Sequence, residues 1–348
     1  MPLISKPTIF FIGRFWQGAS EAGILQGFQQ AGALVQSFDT RHISGMPTAG
    51  LAGKIAHRLH KQLAAKQLPE MIMRDARSVR PDIVMMIKRS ELSREQLTEL
   101  RREGMRIAMY YPDYHFDYGT VDLESFHQFD YIFTTKSFQV DWLRERYPNA
   151  KVELVHHGYS QNSHLPRFNL LGEADYLHDV SYAGARSAYK EEYLSAIIDH
   201  LGDINLVVSG RGFENSPPAV AQRFDGILRR NVLFSEFLQL SRINLAFHSG
   251  PHTNGWQDLV STRTFEIPAT KGFMLHVDNE EVRGLYDVGS EIDVFSSPEE
   301  CADKCRFYLE RPELRAKMIE KAYQRTIAEH SYAHRARQML ELMDMLPA

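Results

Sequence analysis

Short apolar runs alternate with amphipathic stretches along most of the chain, and the alternation starts twice. In the first half the runs are Thr8–Gly13, Leu34–Phe38, Ile83–Lys88, Arg106–Tyr111, Tyr131–Thr135 and Val152–His156. Helical patterns such as Ser20–Gly32, Ser93–Glu103 and Ser137–Tyr147 lie between them. Strand-length runs with helix-length spacers predict βαβ units, and so a parallel sheet with helices on both faces. After "HGYSQNSHLPRFNLLGEADYLHD" the pattern begins again, with strands expected at Val180–Gly184, Ile204–Ser209, Ile243–His248, Phe273–Val277 and Ile292–Phe295. From Pro298 the chain reads as helix. The expectation is two doubly wound, Rossmann-like α/β domains facing across a cleft, with the boundary near Leu170. In such sheets ligands sit beyond the carboxyl ends of the strands, so the post-strand residues are the ones to read.

At 348 residues the chain exceeds a usual single core, which agrees with two domains. A net charge of −4 argues against nucleic acid as the main ligand. No apolar run approaches the roughly 18 residues that span a bilayer, and "TIFFIG" is too short for a signal sequence. A cytoplasmic location with at most peripheral membrane association is expected. Cys301 and Cys305, the only cysteines, stand i, i+4 on one helix face and read as reduced, half-buried thiols. No further ligands share their spacing, so no metal site is expected there.

The loop after the first strand, "GRFWQGASEAG", is neither a P-loop nor G-x-G-x-x-G. Gly13 and Gly18 permit a tight turn and Ser20 can cap the next helix; Gly13, Arg14 and Trp16 suit an acceptor-side role, or a plain turn. In "YYPDYHFDY", Pro112 stops a strand and places Asp113 and His115 in the loop beyond it. These residues can bind hydroxyls or act as a general base, or belong to a solvated loop with aromatic staples. In "VELVHHGYS" adjacent histidines on extended backbone point to opposite faces and cannot share a metal; one of them, His157, can reach a cleft.

In the second half Gly184 ends a strand, and Arg186 and Lys190 follow at a helix start, where cations are the unfavoured sign. That placement suits a diphosphate grip. Gly210 and Arg211 lie in "VVSGRGFEN", a loop with room for a base or ribose. "HSGPHTNGWQD" is a glycine-rich loop ending at Asp258. Then comes "STRTFEIPATKGFMLHVD", read as a helix over Arg263–Thr270 capped by Ser261 or Thr262, closed at Lys271-Gly272 and followed by a strand. Arg263, Thr264 and Glu266 stand at its start, where free N–H groups suit a phosphate.

From "RTFE" to "MLELM" (residues 263–343) the chain resembles the C-terminal portion of GT-B glycosyltransferases, especially the CgeB-like, spore-maturation-protein-like group. The matching residues are Arg263, Phe265, Glu266, Gly272, Glu291, Ile292, Ser331, Tyr332, His334 and Arg335. "RPDIVMMIK", "YYPDY" and "FDYIFTTKSFQVDWLRERYPNAKVELVHHGY" extend the resemblance over the first half. It implies an acceptor domain over residues 1–170, a nucleotide-sugar domain over 171–330, and a final helix, 331–348, crossing back onto the first. It implies transfer from a UDP-, GDP- or dTDP-linked sugar to a glycan, lipid-linked or protein acceptor, as in cell-surface polysaccharide synthesis. The reaction would be retaining and metal-independent, with no cofactor; no Asp-x-Asp motif occurs. Glu266 matches the ribose-binding glutamate, the second of two that the family often has eight positions apart; Asp258 stands at the first, and Arg186 and Lys190 resemble the diphosphate pair. Asp113, His115 and His157 are the candidate catalytic groups. A nucleotide-sugar epimerase of the same architecture, or a non-catalytic nucleotide- or glycan-binding protein, are the rival readings.

Overall fold

The structure, a computed structural model, describes residues 6–43, 67–117, 121–169, 172–252 and 254–346. The chain divides into two compact units: His157–Ser331, and the residues to His156 together with those from Tyr332.

In the first unit the strands are β1 (Thr8–Gly13), β2 (Leu34–Asp39), β3 (Ile83–Ile87), β4 (Arg106–Tyr111), β5 (Tyr131–Thr134) and β6 (Lys151–Leu154). They form one parallel sheet in the order β2-β1-β3-β4-β5-β6. β3, "IVMMI", is buried at every residue, as a central strand covered on both faces must be. The helices are α1 (Ser20–Gln30), α2 (residues 67–79), α3 (Arg94–Arg102) and α4 (Ser137–Arg146). α3 opens with a reciprocal cap: Gln96 N–H donates to Ser93 Oγ, and Ser93 N–H donates to Gln96 Oε1. Strand order reverses between β1 and β3, which places the ligand crevice of this sheet there.

The second unit repeats the plan. Its strands are β7 (His178–Ala185), β8 (Leu206–Arg211), β9 (Ser241–Ala246), β10 (Met274–Val277) and β11 (Asp293–Phe295), parallel in the order β11-β10-β9-β7-β8. Its helices are α5 (Ala188–Leu201), α6 (Pro218–Ala221), α7 (Asn231–Gln239), α8 (Arg263–Ala269), α9 (Glu280–Leu285), α10 (Pro298–Leu309) and α11 (Pro312–Glu329). The final helix, α12 (Tyr332–Leu342), lies in the first unit. Cys301 and Cys305 are free thiols in the buried face of α10. Among the described residues no helix is long and apolar enough to cross a membrane.

The division falls at His156, short of the boundary read near Leu170, a residue outside those described. The intervening segment is bonded into the second unit. Gln239 Oε1 accepts from the Arg167 and Phe168 N–H groups, and Ser235 Oγ donates to Ser163 O. Tyr159 N–H donates to His330 O, so the incoming and outgoing connections run side by side.

α12 sits against α1 at glycines. A Cβ on Gly27 would lie 2.6 Å from Tyr332 O and 2.8 Å from the Ala336 Cβ, and one on Gly23 only 2.4 Å from the Tyr332 ring. Helix axes approach this closely only where side chains are missing. Tyr332, Ala336, Met339, Leu340 and Met343 thereby join Ile24, Phe28 and Met85 in one core. Lys151 Nζ donates to Leu342 O and Arg106 to Met343 O, satisfying carbonyls that the end of the helix leaves open.

Candidate functional site

Beyond the carboxyl ends of β7 and β8 lies a pocket lined by Ala183, Gly184, Ala185, Ser209, Gly210, Arg211, Leu228, Arg229, Phe234 and Arg263. Its backbone wall depends on two glycines that pair across the ladder. Gly210 has φ +138, and a Cβ there would fall 1.8 Å from Gly184 O; one on Gly184 would fall 2.2 Å from the Tyr182 hydroxyl. Bare backbone is therefore what the pocket presents on this side. Three arginines, Arg211, Arg229 and Arg263, line it, with no carboxylate among the lining residues. Such a surface suits a di-anionic group that accepts many hydrogen bonds.

Arg263, on the first turn of α8, is held from three sides. Its Nε donates 2.9 Å to Ala183 O, its Nη1 pairs with Glu266, and its plane lies 4.3 Å from the centre of the Phe234 ring. Arg229 pairs with Asp225, donates to Ser209 Oγ at 3.0 Å and packs 4.2 Å from the Phe237 ring centre.

Glu266, the residue expected at the ribose, is 7% exposed and turned inward, with Arg263 on one oxygen and His164 Nε2 3.5 Å from the other. Burial opposes its charge. Arg263 and His164, with hydrogen bonds from Arg263 and Thr262, outweigh that and hold the carboxyl below its usual range. Thr264, read as ligand-binding, is fully buried: its hydroxyl meets His276 Nε2 at 2.9 Å. Burial pushes His276 down to about 4, so the ring is neutral at pH 7. Its Nδ1 faces the Val277 carbonyl, which can only accept, so the proton sits on Nδ1 and Thr264 donates to Nε2.

At the start of α8 three amides already have acceptors. Thr264 N–H donates to Ser261 O, and the Phe265 and Glu266 N–H groups donate to Thr262 O. Thr262 occupies the cap position without a side-chain cap bond. At the other end Lys271, not Gly272, takes the left-handed conformation, φ +59. Gly272 is needed for space: a Cβ would lie 2.9 Å from Asn244 Nδ2.

The expected diphosphate pair, Arg186 and Lys190, has protein partners. Arg186 makes a two-pronged bond to buried Glu191, at 2.7 and 3.1 Å. Lys190 is buried and donates to Ala185 O. Asp258 is buried and accepts from Ser249 N–H, which ties down the loop after β9. In that loop the His248 ring stacks on Tyr189 with centroids 5.1 Å apart, and its Nδ1 accepts from Gly250 N–H.

In the first unit Gly13 ends β1, with Arg14 and Trp16 exposed in the loop beyond it. Ser20, read as a cap, lies inside α1, and its Oγ accepts from the Tyr332 hydroxyl at 2.7 Å. Asp113 Oδ2 meets Lys88 Nζ at 2.5 Å at the ends of β4 and β3. Its carbonyl accepts from Gln139, which fixes the turn. His115 Nδ1 accepts from Asp117 N–H, and its carbonyl from the Tyr111 hydroxyl; Tyr118 of the same motif lies outside the described residues. Sequence reading missed Glu21, whose side chain lies against Gly13. Burial raises its carboxyl, with Arg14 and Lys88 opposing and Asp113 adding to the rise. The sheet edge thus gathers Glu21, Lys88 and Asp113. His157, the third candidate catalytic group, falls in the second unit.

Two doubly wound parallel-sheet domains of this kind define the GT-B architecture, and solved structures match it over nearly the whole chain. A sucrose-phosphate synthase from Thermosynechococcus elongatus covers 98% of this chain and 99% of its own, at TM-score 0.66 and 10% identity. The Anabaena protein HepE in complex with UDP-glucose covers 97% and 100%, at 0.61 and 11%. A putative UDP-N-acetylglucosamine 2-epimerase from Listeria monocytogenes covers 98% and 96%, at 0.56 and 12%. At these identities the likeness is one of fold. Residues 186–341 match a family model described as glycosyl transferase-like, a segment that contains Arg211, Arg229, Arg263 and Glu266. Among curated proteins no sequence matches this one.

Proposed function

We propose that this protein is a cytoplasmic glycosyltransferase of the CgeB-like group that takes a sugar from a nucleoside-diphosphate donor to a hydroxyl of a glycan, glycolipid or protein. The observation that carries the reading is the pocket beyond β7 and β8. Three arginines and bare glycine backbone surround it, no carboxylate lines it, and Arg211 to Arg263 lie inside the segment that matches the glycosyl transferase-like family. In such a reaction the bond from the sugar's anomeric carbon to the β-phosphate oxygen breaks and one to the acceptor oxygen forms. Charge develops on the departing diphosphate, and fixed guanidinium groups stabilise it without reorganising. The acceptor's proton leaves to a carboxylate or to the departing phosphate itself. We assign the acceptor side to the first unit, where Asp113 stands at the sheet edge. Retention of anomeric configuration and independence of metal are part of the proposal.

Titrating UDP, GDP and dTDP calorimetrically is the direct test, with the two units' contributions separated by mutation. One nucleotide should bind, and Arg229→Ala should weaken it about tenfold or more, the loss expected for a charged hydrogen bond. Absence of binding by all three would sink the reading. Asp113→Asn should lower nucleotide release with acceptor present while leaving nucleotide affinity nearly unchanged, which separates acceptor chemistry from donor binding. Equal loss in both would move Asp113 out of that role. Fold likeness to a 2-epimerase gives the second reading its basis. Incubating nucleotide sugars without acceptor distinguishes the two: an epimerase yields a new sugar, a transferase only slow hydrolysis.

A further inference from the structure

His164 belongs to none of the motifs that point to function, yet it is 3% exposed and lies directly behind the pocket wall. The Ser160 N–H points at its Nδ1 from 3.1 Å, so that nitrogen is an acceptor. In the neutral ring the proton must then sit on Nε2, which faces Glu266 Oε1 at 3.5 Å. Burial pushes the ring's pKa down, with Glu266 drawing it up and Arg263 adding to the fall, which agrees with a neutral imidazole. Its proton position is set by backbone geometry. Glu266 in turn holds Arg263 Nη1, while Ala183 O holds Nε and Phe234 packs against the plane. Among the described residues Nη2 alone of the three guanidinium nitrogens has no protein partner, and Arg263 lines the pocket.

We propose that His164 and Glu266 form a buried clamp that aims Arg263 Nη2 into the pocket, where it takes an oxygen of the donor's diphosphate. His164 and Glu266 are positioning residues that never touch the ligand; they act through Arg263. The role rests on the donor-binding reading above. It replaces the ribose contact expected of Glu266 with a task for which a buried, doubly partnered carboxylate is suited. A guanidinium held on three sides loses little rotamer freedom when the anion arrives, and this favours binding.

The experiment is a double-mutant cycle read by calorimetry with UDP, GDP and dTDP, alongside the matching nucleosides. Arg263→Ala should weaken the bound nucleotide 10- to 100-fold while leaving the nucleoside unchanged. His164→Leu should weaken the nucleotide about tenfold, again sparing the nucleoside. His164→Gln, whose amide nitrogen sits where Nε2 was, should stay within threefold of the wild type. In the Arg263→Ala background, His164→Leu should cause no further loss. A full additional loss there, or an equal loss of nucleoside affinity, would overturn the clamp while leaving the donor pocket standing. If the wild type binds none of the nucleotides, the donor reading falls and takes the clamp with it. Melting temperatures on each variant identify any that fail to fold, and the His164→Gln result then decides the matter by itself: a loss as large as tenfold counts against the clamp.

Discussion

Gly27→Val should detach α12 and cost the protein at least about 3 kcal/mol, the upper end for overpacking a core, because the blocking atom is backbone. The nearest atom to any added Cβ is the Tyr332 carbonyl oxygen, followed by Ala336 Cβ and Ala333 Cα. None of these is the far end of a flexible side chain, so nothing local can yield. With the helices forced apart, Tyr332, Ala336, Met339 and Leu340 lose cover. Each is worth about 1.5–3 kcal/mol buried if it is large and apolar, against a total stability of about 5–15 kcal/mol. Urea unfolding should show the first unit lost at lower denaturant than the second. Gly284→Ala in α9 is the control: no atom lies within 4 Å of its added Cβ, and the helix should gain slightly. Superimposable unfolding curves for Gly27→Val and wild type would mean that α12 does not dock on α1 in solution.

Gly210→Ala should abolish nucleotide binding and lower stability by about 1–3 kcal/mol. Two causes combine. The backbone stands at φ +138, where a Cβ is strained, and the added methyl would meet Gly184 O at 1.8 Å. Relief requires β7 and β8 to separate at their carboxyl ends, which is where the pocket's backbone wall is built. A variant that melts lower yet binds nucleotide at wild-type affinity would show that the ligand does not use this wall.

The fold was legible because burial on both faces writes strands as unbroken apolar runs. β1 and β4 begin and end where the runs do, and the other strands differ by a few residues. The domain boundary was less legible. Residues 157–169 are polar and rich in turn formers, which reads as linker, yet they are fastened by backbone bonds to Gln239 and Ser235. Local composition carries no sign of such distant partners. The site shows the same limit. Glycines after strands marked the pocket's backbone, and Arg211 and Arg263 were found, but Arg229 and Phe234 come from a stretch without a motif. Arg186 and Lys190 could be picked out by charge and place, and only the structure reveals that they bond to Glu191 and Ala185 O. Charge can be read from a sequence, but the direction in which a side chain points cannot.

The first unit is made of two pieces of chain, with the whole second unit threaded between them. During synthesis the usual order, amino-terminal domain first, should therefore be reversed. His157–Ser331 can collapse around its own sheet as soon as it clears the ribosome, while the earlier-made sheet waits with Ile24, Phe28 and Met85 uncovered until α12 arrives. An apolar face that stays open for the time needed to translate 175 residues is a natural client for a chaperone. A chain stalled before Tyr332 should aggregate through its first half while its second half is already native.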